Sequence, residues 1–158
     1  MKSIVKDKDT LSRKCEPVSL FEGLQLGDIL MKELDKHSNG VGLAANQIGI
    51  NKRVCVIRVT KPIILVNPEI VESSGATSFE EGCLSFPGDY VLTKRFSFIK
   101  VKADNHKEEL SFNFIDSELE CVCVQHEIDH LDGITMYERQ LRKTKDGNTL
   151  HTSKKEKN

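Results

Sequence analysis

The sequence predicts an α+β domain whose sheet is mainly antiparallel. Three observations lead to this fold class. A segment with helical periodicity lies near residues 20–40, a second lies near residues 117–130, and short strand-like segments fill the chain between them. The order of helix, strands and helix is typical of α+β domains.

The composition is that of a globular protein with one domain. Of the 158 residues, 38% are hydrophobic and 30% are charged, and the formal net charge is −1. This balance gives no general attraction to nucleic acid or to anionic lipid. No apolar run approaches the roughly 20 residues that cross a membrane, and the N-terminus lacks an apolar signal segment. We therefore expect a soluble cytoplasmic protein whose five cysteines are used for metal binding or burial.

The first helical segment has one apolar face and a clear stop. Asn39 and Gly40 are expected to end it, since both residue types tolerate the left-handed conformation found at helix ends. The apolar face is formed by Leu26, Ile29, Leu30 and Leu34.

The strand-like segments follow the first helix. The polar sequence "DNHKE" separates the last two segments, so it is expected to form the turn of a hairpin. The predicted strands cover residues 53–59, 63–66, 69–72, 96–103 and 109–114.

The second helix is predicted to begin near Ser117, which forms a capping box with Glu120. It should continue through His130 and end before Gly133. Beyond residue 141 the chain is basic and almost free of apolar residues. We therefore predict one domain over residues 1–141 and a disordered, solvated tail over residues 142–158.

The second helix contains the sequence "QHEIDH", an H-E-x-x-H pattern. His126 and His130 are one turn apart on the same face, so both rings can bind one metal ion. Glu127 is near enough to act as a general base toward a water molecule at that ion. The pattern is short, however, and two histidines on a helix are often only surface or core residues.

The neighbouring residues favour the metal site. The helix has an apolar face formed by Leu119, Val122 and Cys123. The histidines continue this apolar face, which would direct His126 and Glu127 into the protein. A charged Glu127 in that position is costly unless a cation or hydrogen bonds compensate it.

A catalytic site of this type needs a third protein ligand. A thermolysin-like protease would use a later glutamate, but only Glu138 and Glu156 follow, and neither is well placed. Cys83 in "EEGCLSFPG" is a better donor, because it lies between Gly82 and a predicted turn at Pro87-Gly88. The alternative is that Cys83 is an ordinary buried residue.

A third segment, "GVGLAANQIG" at residues 40–49, carries the amide side chains of Asn46 and Gln47. Alone, it is also explained by a helix stop before a tightly packed strand. Together, "GVGLAANQ", "EGCLS" and "QHEIDH" closely resemble the three signature motifs of the peptide deformylases. The resemblance covers about residues 10–140. It implies mainly antiparallel sheets packed around a central metal-binding helix.

The resemblance also implies the role of each site residue. Cys83, His126 and His130 match the metal ligands, and Glu127 matches the general acid/base. Gln47 and the backbone N–H of Leu84 match the groups that stabilise the oxyanion. The substrate groove matches Gly40, Val41 and Gly42, and the methionine pocket matches Val41, Phe79, Glu81, Leu119, Val122, Cys123 and His126.

The implied reaction is removal of the formyl group from the N-terminal formylmethionine of nascent polypeptides, with release of formate. One divalent ion would be the cofactor, Fe(II) by resemblance to the family, although zinc, nickel or cobalt also suit the ligands. The resemblance places Arg95 where it could form an ion pair with Asp129. The protein is expected to be a monomer. It is expected in the cytoplasm of a bacterium, or of a host cell if a phage encodes it, and an organelle stroma is a less favoured location.

The sequence departs from the family pattern at two places. Glu118, Glu120 and Cys121 replace a glycine and small or apolar residues, so the start of the helix is expected to be more exposed. Many bacterial relatives end in a long helix that docks on the ribosome, whereas this sequence resembles a compact variant without it. Any binding to the ribosome is therefore expected to be weak.

Two alternatives remain at this point. Cys83, Cys121, Cys123 and His126 could form a closed, structural metal site, although helical geometry directs Cys121 elsewhere. A deformylase-like hydrolase could also act on another N-acyl group, because the depth of the acyl pocket is not evident from sequence.

Overall fold

The structure is a computed structural model that describes residues 3–143 and 149–152 of the chain. Its described part is an α+β fold with antiparallel strand pairing in every sheet, which confirms the predicted fold class. The helices are α1 (Lys8–Leu11), α2 (Leu20–Leu34) and α3 (Glu118–Leu131), with 3₁₀ turns at Ala45–Ile48 and Met136–Arg139. The strands are β1 (Gly42–Ala44), β2 (Val54–Arg58), β3 (Pro62–Val66), β4 (Glu69–Ser74), β5 (Thr77–Cys83), β6 (Phe86–Arg95), β7 (Phe98–Lys102), β8 (Leu110–Asn113), β9 (Leu141–Lys143) and β10 (Thr149–Thr152).

Helix α2 begins where the Ser19 side chain accepts a hydrogen bond from the backbone N–H of Glu22. It ends at Leu34 rather than at Asn39 and Gly40, so the predicted stop is five residues late. Leu26, Leu30 and Leu34 are buried as predicted, but Ile29 is 48% exposed. Two glycines, Gly23 and Gly27, form the rest of the contact face and pack directly on β3.

Three separate sheets surround α3. Strands β1, β2 and β3 form the first, and residues 54–57 of β2 are fully buried because α2 and α3 both pack on this sheet. Strands β4, β7 and β8 form the second, and β7 and β8 form the predicted hairpin. Strands β5 and β6 form a long two-stranded hairpin that the sequence did not indicate.

Helix α3 begins at Ser117, whose hydroxyl accepts a hydrogen bond from the N–H of Glu120, as predicted. The Glu120 carboxylate accepts a hydrogen bond from Thr60. Every residue from 121 to 131 is buried, which is the pattern of a helix enclosed on all sides. Glu118 is exposed and Glu120 is half-buried, which agrees with the predicted exposure of the helix start, whereas Cys121 is fully buried. Gly133 follows the helix with a φ of 76°, which only glycine adopts without strain.

Two short strands overlap the segment 142–158, which the sequence predicts to be a disordered tail. Strand β9 pairs with β10 in an antiparallel sheet, so residues up to 143 and residues 149–152 are ordered in strands. The sequence between these two strands contains an Asp146-Gly147 pair, which is a hairpin signal. Residues 144–148 and 153–158 lie outside the described part of the chain.

None of the helices in the described part of the chain combines the length and the apolar character that a membrane span requires.

Candidate active site

Three potential metal ligands converge on one point. Cys83, His126 and His130 each offer a donor atom, and these atoms all lie within 4.8 Å of one another. The Cys83 Sγ atom is 3.5 Å from the Nε2 atom of His130. The three residues come from two elements, because Cys83 ends β5 while the two histidines are on α3. These are the three residues that the resemblance implies as metal ligands.

A tight turn presents Cys83 to the site. Cys83 pairs with Phe86 across the end of the β5–β6 hairpin, so the chain reverses at Leu84 and Ser85. The predicted turn at Pro87-Gly88 is therefore wrong, since both residues lie in β6. Gly88 nevertheless has a φ of 86°, which explains why a glycine occurs in this strand.

The orientation of His126 is set by Glu81. The Nδ1 atom of His126 lies 2.8 Å from a carboxylate oxygen of Glu81, which leaves Nε2 for a metal ion. Glu81 also accepts hydrogen bonds from Arg95 at 2.6 and 2.8 Å. Burial raises the pKa of Glu81, but the bonds from Arg95 and His126 outweigh burial and hold that pKa well below its usual range. The sequence indicated Glu81 only as part of the methionine pocket.

The predicted ion pair between Arg95 and Asp129 is present. Arg95 Nη1 lies 2.6 Å from the Asp129 carboxylate, and both residues are buried. Arg139, which the sequence did not indicate, binds the same carboxylate at 2.9 Å. Asp129 therefore has the partners that its burial requires.

Glu127 is buried beside the predicted metal ligands and forms no ion pair with any of the described residues. It is 4% exposed, and its Oε1 atom has no hydrogen-bond partner in the described part of the chain. Burial raises its pKa to about 7. A Cβ atom added to Gly42 would lie 2.7 Å from Glu127 Oε2, so the glycine provides the space for this carboxylate. Such a group can both accept and donate a proton near neutral pH.

Hydrogen bonds at both ends of the amide group hold the Gln47 side chain in place. Its Oε1 atom accepts a hydrogen bond from Ala44 N at 2.9 Å. Its Nε2 atom is 3.6 Å from Cys83 Sγ and 3.1 Å from Ser85 Oγ. The amide nitrogen thereby lies beside Cys83, one of the predicted metal ligands. Ser85, which helps to hold Gln47, had no signal in the sequence.

A groove of about 970 Å³ leads to these residues. Leu84, Gln47, Cys83, His126 and Glu127 line it. The predicted substrate-binding residues line it as well, namely Gly40, Val41, Gly42, Phe79, Glu81, Leu119, Val122 and Cys123. The structure thus brings together the predicted site, with His130 buried behind it.

The ligand set fits a metal cation. Burial, together with the nearby charges of His126 and Arg95, lowers the pKa of His130 far below its usual value, so the ring is neutral and its nitrogen is free to bind a metal. Burial also opposes the charge on His126, but Cys83 and Glu81 outweigh it and raise the pKa of that ring. Cys83 and Glu81 therefore favour positive charge at His126, where a metal ion would bind.

A closed four-ligand site does not form in the described residues. Cys121 points away from the cluster, and its Sγ atom lies 3.7 Å from Phe112 O. Cys123 Sγ lies 3.7 Å from Val41 O in the groove. This arrangement leaves three ligands and an accessible groove, which is typical of catalytic metal sites.

The sequence model of the family described as polypeptide deformylase matches residues 1–146. A peptide deformylase of Heliobacterium modesticaldum is 46% identical over 132 residues, which cover 82% of this chain and 86% of the relative. This chain belongs to the polypeptide deformylase family. A peptide deformylase of Neisseria meningitidis is 45% identical over 113 residues, covering 69% of this chain and 67% of that relative.

Solved structures of deformylases have the same fold. A class I type b peptide deformylase from Acinetobacter baumannii superposes with a TM-score of 0.78 at 35% identity, covering 87% of this chain and 98% of the other. The peptide deformylase of Thermotoga maritima gives 0.77 at 34% identity, covering 89% and 97%. The chain is accordingly an enzyme, a metal-dependent deformylase that removes the N-formyl group from nascent polypeptides.

Proposed function

We propose that Cys83, His126 and His130 hold the catalytic metal of this deformylase and that Glu127 transfers the protons of the reaction. The observation that carries this assignment is the convergence of three donor atoms within 4.8 Å beside a buried carboxylate. A metal-binding triad alone would also fit a structural site. A buried, unpaired acid next to an open groove fits catalysis.

The metal is proposed to be Fe(II), with zinc, nickel or cobalt able to occupy the same ligands. One thiolate and two imidazoles suit all four ions, so the proposal of iron depends on the resemblance to the family. When bound, a divalent ion supplies Lewis acidity, which polarises a carbonyl group and lowers the pKa of water to about 7.

Glu127 is proposed to act first as a base and then as an acid. It takes a proton from the water molecule that attacks the formyl carbon. The carbon–nitrogen bond then breaks, Glu127 gives the proton to the departing amine, and formate leaves. The pKa of about 7 suits both steps, because the carboxyl group is divided between its two forms at neutral pH.

Gln47 and the N–H of Leu84 are proposed to stabilise the negative charge on the formyl oxygen. Gln47 is already fixed by Ala44 and Ser85, so its donor needs little reorganisation during the reaction. One such donor typically contributes about 3 kcal/mol to the transition state.

The groove is proposed to bind the formylmethionyl peptide as an added strand along residues 40–42. The methionine side chain would contact Val122 and Cys123, which are buried at the base of the groove, and Leu119 near its edge. Phe79 and the backbone of Glu81 complete this pocket. The Glu81 carboxylate is excluded from that role, because it is already bonded to His126 and Arg95.

The enzyme is proposed to work as a monomer in the cytoplasm, where formylated nascent chains are made. A bacterial cell is the expected setting, and a phage or an organelle is a further possibility for the source of the chain. Weak association with the ribosome is part of the same proposal.

The decisive experiment measures formate release from formyl-Met-Ala-Ser under anaerobic conditions with Fe(II). The acetylated peptide serves as the matched substrate and tests for a broader N-acyl hydrolase. We expect formate release from the first peptide and little hydrolysis of the second.

The Glu127→Gln variant should retain its metal while kcat falls by at least about 100-fold, since general acid–base catalysis contributes roughly 10²–10⁴. Metal content measured by mass spectrometry provides the control. A variant with normal turnover would exclude Glu127 from catalysis.

A further inference from the structure

The backbone carbonyl of His130 accepts two hydrogen bonds, one of them from a distant side chain. Gly133 N donates to it at 3.0 Å, as expected at the end of a helix. Asn46 Nδ2 donates to the same oxygen at 2.7 Å. The second bond joins the first glycine-rich segment to a metal ligand 84 residues later.

Burial of the Asn46 amide lowers the stability of the fold. Asn46 is 2% exposed, and its Oδ1 atom has no hydrogen-bond partner in the described part of the chain. Leaving a buried acceptor unsatisfied typically costs about 1–3 kcal/mol. An apolar side chain of similar volume would avoid this cost. Stability alone therefore does not explain an asparagine at this position.

The carbonyl of His130 does not need Asn46 in order to be satisfied. Gly133 already donates to it, and the neighbouring carbonyls at the end of α3 have their own donors. Asp129 O accepts from two backbone N–H groups, while Leu131 O accepts from Cys15 N and from Arg53. Other donors thus hold the end of the helix without Asn46. We therefore expect the bond from Asn46 to affect the position of His130 and not the stability of the helix end.

Asn46 lies next to Gln47 in the 3₁₀ turn Ala45–Ile48. Gln47 contacts Cys83 Sγ, and Asn46 contacts the backbone of His130. Consecutive residues of one turn therefore contact both elements that supply metal ligands. The turn links the oxyanion donor to β5 on one side and to α3 on the other.

We propose that Asn46 is a positioning residue that fixes His130 relative to Gln47 and Cys83. It acts on the metal through the backbone of His130 and does not contact the metal or the substrate. The proposal deepens the function proposed above and depends on its assignment of His130 as a metal ligand. Partners that orient metal ligands typically change metal affinity by about 10–100-fold, and a bond to the backbone should lie at the lower end.

The test replaces Asn46 by leucine, an apolar residue with the same branching at Cγ, and by serine, which is too short to reach His130 O. The matched control is Asn105→Leu, because Asn105 Nδ2 also donates to a backbone carbonyl, that of Ile64, at 2.7 Å. Asn105 lies half-buried beside β3, away from the metal ligands. Three properties are measured: stability in urea, Co(II) affinity by chelator competition, and the visible absorption spectrum of the Co(II) protein.

Asn46→Leu should keep its stability, because the unsatisfied acceptor is removed with the donor. Its Co(II) affinity should fall about tenfold, and the Co(II) spectrum should change because the His130 ligand is displaced. Asn46→Ser should show the same spectral change. Asn105→Leu should lose stability while keeping the affinity and the spectrum of the wild type.

Wild-type Co(II) affinity and spectrum in both Asn46 variants would overturn the proposal. Formate release by the wild-type protein is measured in parallel and reports on the proposed function alone. An inactive wild type with a normal Co(II) site would therefore contradict the catalytic assignment without affecting the role of Asn46.

Discussion

At the scale of single residues, one buried guanidinium connects the proposed metal ligand His126 to the rest of the fold. Arg95 binds Glu81 at 2.6 Å and Asp129 at 2.6 Å, and Glu81 in turn binds His126 at 2.8 Å. All four side chains are buried. Charge that is removed from water in this way is stable only when each group has its partners.

The Arg95→Ala variant should lose about 3–5 kcal/mol of unfolding free energy, because it removes the guanidinium from the buried Glu81 carboxylate and one of the two guanidinium groups from that of Asp129. Urea denaturation measures this loss. Arg58→Ala is the control, since Arg58 forms an exposed ion pair with Asp35 and should cost less than about 1 kcal/mol. If the two variants lost the same unfolding free energy, the buried ion pairs would contribute no more to stability than the exposed pair.

The sequence predicted most of the chemical residues of the site, but not all of their contacts. His126, Glu127 and His130 were evident because helical spacing alone brings them together. Cys83 was a candidate because of its place between Gly82 and a predicted turn, and the resemblance of the motifs then implied its role and that of Gln47. The bond between Glu81 and His126 was not predictable, since it depends on how the β5–β6 hairpin approaches α3. That approach is set by packing, and no local pattern encodes it.

At the scale of elements, α2 contacts the first sheet through glycines. Gly23 and Gly27 are four residues apart and therefore lie on one face of the helix. A Cβ atom at Gly27 would lie 2.5 Å from Ile64 Cγ2, and one at Gly23 would lie 2.5 Å from Val66 Cγ1. The absence of side chains lets the helix lie close to β3.

Gly27→Ala tests whether this close packing outweighs helix propensity. Alanine should gain about 1 kcal/mol in the helix, but forcing a methyl group into a packed core typically costs about 1–3 kcal/mol. We expect a net loss of about 1 kcal/mol in urea denaturation. In an Ile64→Ala background the same change should cost less, because the clashing side chain is gone. If Gly27→Ala lost the same unfolding free energy in both backgrounds, the contact with Ile64 would not be the source of the strain.

The elements differ in how well the sequence predicted them. Helix α3 was predicted within a few residues because Ser117 and Gly133 are strong local signals. The β5–β6 hairpin was missed because Pro87 and Gly88, which usually mark turns, lie inside β6. Ile29 fitted the apolar pattern of α2, but the contact face is formed by glycines, which such a pattern does not count. Local chemistry therefore predicts helix ends better than it predicts which surfaces meet.

At the scale of the whole molecule, the proposed metal joins parts of the fold that share no sheet. Cys83 belongs to the β5–β6 hairpin, while α3 packs mainly on the first sheet. In the described part of the chain, these two sheets have no strand pairing with each other. A metal bound to Cys83, His126 and His130 would cross-link them.

Metal removal should therefore destabilise the whole molecule. An ion present at 1,000 times its dissociation constant adds about 4 kcal/mol to the unfolding free energy. A chelator should lower the melting temperature, and re-addition of Fe(II), Co(II) or Zn(II) should restore it. Cys83→Ala is the matched control, because it removes one ligand and should show a much smaller response. If the chelator left the melting temperature unchanged, a stabilising metal cross-link would be excluded.

The hairpin turn between β7 and β8 has a practical consequence. Lys107 and Glu108 in this turn are exposed, and in the chain they lie between Cys83 and the two histidines that are the other proposed ligands. A single cut there would give one fragment with the sulfur donor and another with the two imidazoles. The two fragments would then reassemble more tightly with the ion than without it, which would make the cut chain a reporter of metal supply.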